Sequence, residues 1–225
     1  SIPFTQDSPL PEELDKDEMQ KIIKNFVSAT KRAVRLGFSA IEFHGAHGYL
    51  IHEFISPISN KRKDEYGGKL DNRIKFPLEI LTEVRKVVPP HIALGMRITG
   101  TDWREDGLSI KDAQRVAQIL EENGLDYLCI SSGGITTGLN IPVGLGYQVH
   151  LAAAVKETVS IPVRTVGLIT SPRQANDIIV KGDADMVALA RAFLSNPRWV
   201  WDASIALQHS IKVPQQYERA YAIQK

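Results

Sequence analysis

The chain has 225 residues, 43% of them hydrophobic, with 27 basic against 26 acidic side chains and a net charge of +1. This is ordinary for a globular domain, and balanced, interspersed charge gives no electrostatic reason to expect nucleic acid or an anionic membrane as partner. Cys129 is the single cysteine, so no internal disulfide framework can form; no run reaches the length of a membrane span, and the Pro-rich, acidic opening does not read as a signal peptide, so a cytoplasmic location is expected.

Residues 1–14 read as a loop of the kind found in mid-protein. Asp15 followed by Glu18 is a capping-box pattern that opens a first helix, with Met19, Ile22, Ile23, Phe26 and Val27 on one face and an end by Gly37. A buried strand over residues 39–43 follows, then a long loop with Pro57, Lys61-Arg62-Lys63 and Gly67-Gly68. The pattern predicts a helix near residues 71–88, its buried side marked by Leu78, Leu81, Val84 and Val88, kinked at Pro77 if that residue lies beyond the first turn. A strand is predicted at 92–98, then a helix capped by Ser109 that buries Ala113, Val116, Ala117 and Leu120 and ends at Gly124. Residues 125–130 read as a strand, 147–158 as a looser helix and 163–169 as a strand. Ser171-Pro172-Arg173-Gln174 is a strong helix start, and that helix ends at Gly182. The last strand spans 186–189, and Asn196-Pro197 opens a final helix rich in Trp and Ala.

These are five β/α units without a linker, with short apolar strands suited to a parallel sheet covered on both faces. Two architectures compete: an open doubly wound sheet, and part of a (β/α)8 TIM barrel. No strand is followed by G-x-G-x-x-G, which weakens the first. Polar or small residues follow every strand, at His44 and His47, Arg97, Ser131 to Gly134, Gly167 and Arg191, and chemistry converging from successive strand ends is the barrel habit. The densest segment is Ile41-Glu42-Phe43-His44-Gly45-Ala46-His47-Gly48-Tyr49-Leu50. It carries two imidazoles and a phenol, spaced by small residues, out of a buried strand.

Taken together, these motifs resemble the old yellow enzyme family (NADH:flavin oxidoreductases), closest to its thermophilic-like class. His44 to Leu50 looks like that family's strand-4 signature, continued by the loop from Phe54 to Asn60, Asp64-Glu65-Tyr66-Gly67-Gly68 and Asn72-Arg73. Gly95-Met96-Arg97 resembles strand 5, Ser131-Ser132-Gly133 strand 6, Val166-Gly167-Leu168-Ile169-Thr170 strand 7, Leu189-Ala190-Arg191 strand 8, and Gln216-Tyr217-Glu218-Arg219 the C-terminal motif of the class. The resemblance implies a single domain over residues 1–225, the C-terminal part of a barrel whose strands 1 to 3 have no counterpart here. About 130 further residues are expected upstream, or on another chain. The family usually has glycine where this chain has Ala190; alanine still allows close approach of the backbone if its φ is negative.

The resemblance implies hydride transfer from NADPH or NADH through FMN to the C=C bond of a small α,β-unsaturated carbonyl compound. His44 and His47 would donate to the carbonyl oxygen as negative charge builds there, a metal pair or a structural histidine being the alternatives. Tyr49 would give the proton to the α-carbon, or else pack under the loop. Arg97 would stabilise the anionic edge of reduced flavin, or else pair with Glu42 or Asp126. Ser132 and Gly133 fall in the strand-6 motif and are expected beside the cofactor. Gly167, Ala190 and Arg191 would hold the FMN phosphate, or merely pack tightly. Arg219 would reach a neighbouring subunit's site, which implies a homo-oligomer. Lys61-Arg62-Lys63 could attract the 2′-phosphate of NADPH, though such a run is more often a solvated face. Two other functions remain open: a barrel lyase or isomerase acting on a phosphorylated substrate, and a non-catalytic half-barrel whose open edges pair with another chain.

Overall fold

The computed structural model describes residues 3–5 and 7–222; of the opening stretch expected as loop, Ser1, Ile2 and Gln6 lie outside the described residues and the rest is irregular. The helices are α1 (Lys16–Arg35), α2 (Leu50–Ile55), α3 (Leu70–Arg73), α4 (Lys75–Arg85), α5 (Ile110–Glu122), α6 (Val149–Lys156), α7 (Pro172–Val180), α8 (Arg191–Ser195), α9 (Trp199–Ala206) and α10 (Glu218–Ala222). The strands are β1 (Ala40–Gly45), β2 (Ala93–Thr99), β3 (Tyr127–Ser131), β4 (Val163–Thr165) and β5 (Met186–Val187).

All strand pairs are parallel and the sheet order is β1-β2-β3-β4-β5. That order decides between the two architectures. A doubly wound sheet reverses its order partway, at the point where ligands bind. Here each crossover advances one strand in the same direction, so right-handed connections place the crossover helices on one face. The chain is an arc of five units of a (β/α)8 barrel.

Register separates two layers. Phe43, Met96, Leu128 and Val163 align across the sheet and are buried against the helices, where they meet Phe76, Ile80, Leu81 and Val84 of α4 and Leu120 of α5. The alternate row, His44, Arg97, Cys129, Arg164 and Met186, lines the inner face. Between the helices and the sheet lies the hydrophobic core; the inner face carries the polar side chains.

The predicted caps are in place. Asp15 forms its capping box with Glu18, Ser109 forms one with Asp112, and Ser171 accepts the Gln174 amide with Pro172 in the first turn. Helices α1, α5 and α7 each end in paired 6→1 and 5→2 bonds around Gly37, Gly124 and Gly182. At the opposite end of the sheet from the histidines, Asp126 accepts the Leu94 amide and pairs with Arg85 at 2.8 Å; Asp185 does the same with the Val163 amide and Lys156 at 2.7 Å. The same device thus ties the start of one strand to its neighbour twice.

Four expectations need correction. The helix predicted at 71–88 is two helices broken at Ile74, and Pro77 is the third residue of α4. Amides in the first turn have no intrahelical partner, so this proline removes no hydrogen bond within α4. The long loop contains α2, and α8 follows β5 directly. Strand β4 stops at Thr165 because Gly167 (φ 117) and Leu168 (φ 51) turn the chain. The last predicted helix starts at Trp199 rather than at Asn196, whose side-chain amide instead binds Asp202 Oδ2 at 2.6 Å.

Candidate active site

Strand β1 ends on His44 and Gly45, and the chain leaves it through two consecutive left-handed residues, His47 (φ 59) and Gly48 (φ 77). A side chain at Gly48 has no room: a Cβ there would stand 2.2 Å from the Gly134 carbonyl oxygen, and one at Gly134 would stand 2.5 Å from His47 Cα. The loops after β1 and β3 therefore touch backbone to backbone, across the top of β2. This turn gathers three rings. His44 lies 5.1 Å from His47 and 5.0 Å from Tyr49 between ring centroids. Tyr49 is the N-cap residue of α2 and is 62% exposed, so it is not packed under the loop.

Burial, followed by the nearby Arg97 charge, holds the His47 imidazole down at about 4, and the same two causes lower His44. Both rings are neutral near pH 7. His47 Nε2 lies 2.6 Å from Ser131 Oγ. Behind it, buried Gln148 accepts the Ser132 hydroxyl at 2.7 Å and the Ser131 hydroxyl at 3.2 Å, and donates to the Val166 carbonyl at 3.3 Å. One amide side chain thus joins the ends of β3 and β4.

His47, Ser131 and Gln148 open onto a cavity of about 360 Å³ at the C-terminal end of the sheet, walled also by Arg97, Gly167 and Arg191 among others; His44 and Tyr49 stand next to His47 but outside that wall. Arg97 does not form the ion pair that was its alternative. Glu42 pairs with Arg164, and Asp126 with Arg85. Arg97 Nε is buried without a partner among the described residues. An unpaired buried donor beside an open cavity calls for an anionic or accepting ligand. Gly167 (φ 117) leaves space that a Cβ would close, 2.8 Å from Gln148 Nε2. Ala190 has φ −116, the negative value that alanine needs, and its neighbour Arg191 is exposed at the cavity edge.

Several expected positions stand outside this lining, Arg219 among them as its expected role at a neighbouring subunit would have it. Ser132 is buried and its hydroxyl binds Gln148, while the Gly133 amide donates to the Thr101 carbonyl; Ser131 is the residue of that loop that lines the cavity. Successive residues leaving a strand alternate in direction, and the wall position goes to Ser131, which shares the inner face with Cys129. Arg219 is exposed on α10 and outside the lining. Arg62 is clamped by Asp64 at 2.6 Å and the Leu14 carbonyl at 2.8 Å, which leaves Lys61 and Lys63 as the exposed charges of that run. Among the described residues, no cluster of three His, Cys, Asp or Glu side chains stands ready for a metal ion.

Sequence reasoning missed Gln148 and Tyr147 of the lining, and the buried pair His52 and Asp102 beneath the His47 turn. The signal for Gln148 was a polar residue where the predicted helix should have been turning its apolar face inward. His52 had a stronger one, a third histidine within nine residues of His44.

Comparison with known proteins agrees with this geometry. Residues 3–209 match the model of the NADH:flavin oxidoreductase / NADH oxidase family. The chain is 42% identical over 221 residues to an NADPH dehydrogenase of Geobacillus thermodenitrificans, covering 98% of this chain and 64% of that protein. An NADPH dehydrogenase of Clostridium acetobutylicum is 39% identical, with 98% and 65% covered. The chain thus spans just under two thirds of the length of these curated relatives. Among solved structures, a 2-naphthoyl-CoA reductase in complex with 2-naphthoyl-CoA superposes with a TM-score of 0.83 at 25% identity, covering 92% of this chain and 32% of that one. Histamine dehydrogenase from Rhizobium sp. 4-9 gives 0.75 at 29% identity, with 88% and 29% covered. A matching family model over most of the residues, on a fold with the barrel's sequential winding, leads to one conclusion: the chain belongs to the NADH:flavin oxidoreductase / NADH oxidase family.

Proposed function

We propose that this chain is the C-terminal part of an FMN-dependent NAD(P)H oxidoreductase that reduces the C=C bond of α,β-unsaturated carbonyl compounds. One observation carries the reading: a neutral His47, with the His44 ring beside it, and Arg97, with a buried Nε that has no partner among the described residues, meet at one cavity at the C-terminal ends of the strands. The residues present suit FMN. Arg97 offers a buried donor with nothing to bind, Gly167 offers a backbone cradle, and Arg191 offers a cation for a phosphate. When bound, FMN supplies a two-electron carrier between the nicotinamide and the alkene.

The protein's own part is to bind, orient and deliver a proton. His44 and His47 hold the substrate carbonyl oxygen through N–H donors and stabilise the negative charge that develops there as hydride reaches the β-carbon. For His47 this requires the hydrogen on Nδ1. That tautomer requires the single hydrogen of the Ser131 hydroxyl to go to His47 Nε2 at 2.6 Å rather than to Gln148 Oε1 at 3.2 Å, which the Ser132 hydroxyl then serves alone at 2.7 Å. Tyr49, exposed beside His44, donates the proton to the α-carbon. Arg97 would hold the bound FMN and offset the negative charge that its reduced form carries. Arg219 is assigned to the site of a neighbouring copy, since its own cavity does not include it.

The test is a visible spectrum of the full-length protein, taken before and after anaerobic NADPH and again after cyclohexenone. Yellow colour that bleaches and returns supports the reading; a colourless protein that turns over a phosphorylated substrate defeats it. His44→Ala with His47→Ala should abolish the return of colour while leaving the bleaching.

A further inference from the structure

We propose that His52 and Asp102, unused in the mechanism above, form a buried positioning pair that locks the His47–Gly48 turn and so sets the aim of His47. The proposal rests on the functional reading above for its consequence in catalysis, but not for its structural claim.

Both side chains are fully buried, at 0% exposure each. Asp102 Oδ2 accepts the Ser56 hydroxyl at 2.7 Å and the Leu108 amide at 2.8 Å, so the carboxylate is fastened from two separate segments. Its other oxygen, Oδ1, faces only His52 Nε2, at 2.9 Å, and that nitrogen faces nothing else among the described residues. On its far side, His52 Nδ1 accepts the Gly48 amide at 2.9 Å. A ring nitrogen that accepts an N–H carries no hydrogen itself. The hydrogen of a neutral His52 is therefore on Nε2, the nitrogen that lies 2.9 Å from Asp102 Oδ1. The approach is close without being an aligned hydrogen bond, and the nearby carboxylate favours the tautomer that the Gly48 amide requires.

What this chain of contacts holds is the strained part of the site. His47 has φ 59, a conformation that persists in a non-glycine residue only when its surroundings over-determine it. The Gly48 amide is held by His52 Nδ1, and the side of Gly48 Cα where a Cβ would stand faces the backbone of Gly134. Releasing the first contact frees the peptide between His47 and Gly48 to rotate. His47 would then leave Ser131, and Tyr49, one residue on, would turn with it. A purely structural role would be met as well by apolar side chains, which do not carry the desolvation cost of a buried carboxylate. The sequence instead places an acceptor at one backbone amide, next to the residue whose ring faces the cavity.

The two amide side chains separate the two ends of the pair. His52→Asn puts an oxygen near the place of Nδ1 and keeps the acceptor for Gly48. His52→Gln puts its amide near the place of Nε2, keeping Asp102 and losing Gly48. In the full-length protein, His52→Gln should speed hydrogen exchange at the Gly48 amide at least tenfold. It should also raise KM for cyclohexenone at least tenfold, with a smaller change in flavin reduction by NADPH. His52→Asn should recover most of both effects. Equal losses in both variants and both half-reactions would mean general packing and overturn the proposal, as would unchanged Gly48 exchange in His52→Gln. Nitrogen NMR of the unmodified protein needs no variant: hydrogen on Nε2 of His52 is expected, and hydrogen on Nδ1 overturns the proposal. If NADPH fails to bleach the wild-type protein, the functional reading fails, while the exchange and NMR results still decide for or against the pair.

Discussion

Replacing Gly48 by alanine tests the backbone contact that builds the site, and Gly37→Ala is its natural control. Both glycines are left-handed, with φ of 77 and 80. At Gly37, which ends α1, an added Cβ meets nothing within 4 Å. The cost there is conformational alone, about 1–2 kcal/mol, reduced by about 0.4–1 kcal/mol because alanine also restricts the unfolded chain. At Gly48 the same strain is joined by a Cβ at 2.2 Å from the Gly134 carbonyl oxygen and 3.3 Å from Ile135 Cα. Those atoms are backbone and cannot rotate aside, so one loop must move, at a cost of about 1–3 kcal/mol. Gly48→Ala should therefore lose about 1–5 kcal/mol in total, and its excess over Gly37→Ala, about 1–3 kcal/mol, measures the clash. Urea unfolding at pH 7, comparing midpoints at equal slope, gives both values. If the two variants agree within about 0.5 kcal/mol, the loops after β1 and β3 are not in contact and the site geometry drawn from them is wrong.

Arg97→Met should weaken flavin binding at least tenfold yet leave the flavin-free protein as stable as wild type or more so, because a half-buried cation whose buried Nε has no partner among the described residues is replaced by an apolar chain; a loss of more than about 2 kcal/mol in a melt of the flavin-free protein would reveal a missed internal partner. His47 is depressed to about 4 in the folded chain, against about 6.5 unfolded, so between those values the unfolded state binds more protons. The contribution of neutral His47 to stability is present above about 6.5 and drains away as pH falls toward 4, and its NMR titration should show a midpoint near 4; one at 6.5 or above contradicts the burial and the Arg97 contact. Asp185→Ala should cost about 1–2 kcal/mol by freeing the Val163 amide and Lys156. It should leave kcat unchanged, since the pair lies at the end of the sheet away from the cavity; a fall in kcat in the still-folded variant would contradict that placement.

Much of the local structure was legible because its causes are local. Asp15, Ser109 and Ser171 each bind an amide three residues on, so a cap can be read from adjacent letters. The alternation of Phe43 with His44, and of Met96 with Arg97, marks the two faces of a strand by its period alone. The same logic misled where local signals were weak or mixed. Apolar residues on both sides of Ile74 hid the break between α3 and α4. An apolar run across Gly167 hid the end of β4, since only the backbone sign of φ ended the strand.

By itself, the sequence determined the five β/α units, their capped helices and the clustering of polar residues after each strand, since each depends on neighbours a few positions apart. Only the tertiary structure decided the sheet order, and with it the barrel winding. It also decided which charges find partners: Glu42 takes Arg164, 122 positions away, which leaves Arg97 free to face the cavity. Ser131 rather than Ser132, Gln148 across two strand ends, and His52 with Asp102 under the histidine turn belong to the same class. These contacts join segments far apart in the chain, and no spacing along one segment encodes what the folding of the others brings against it.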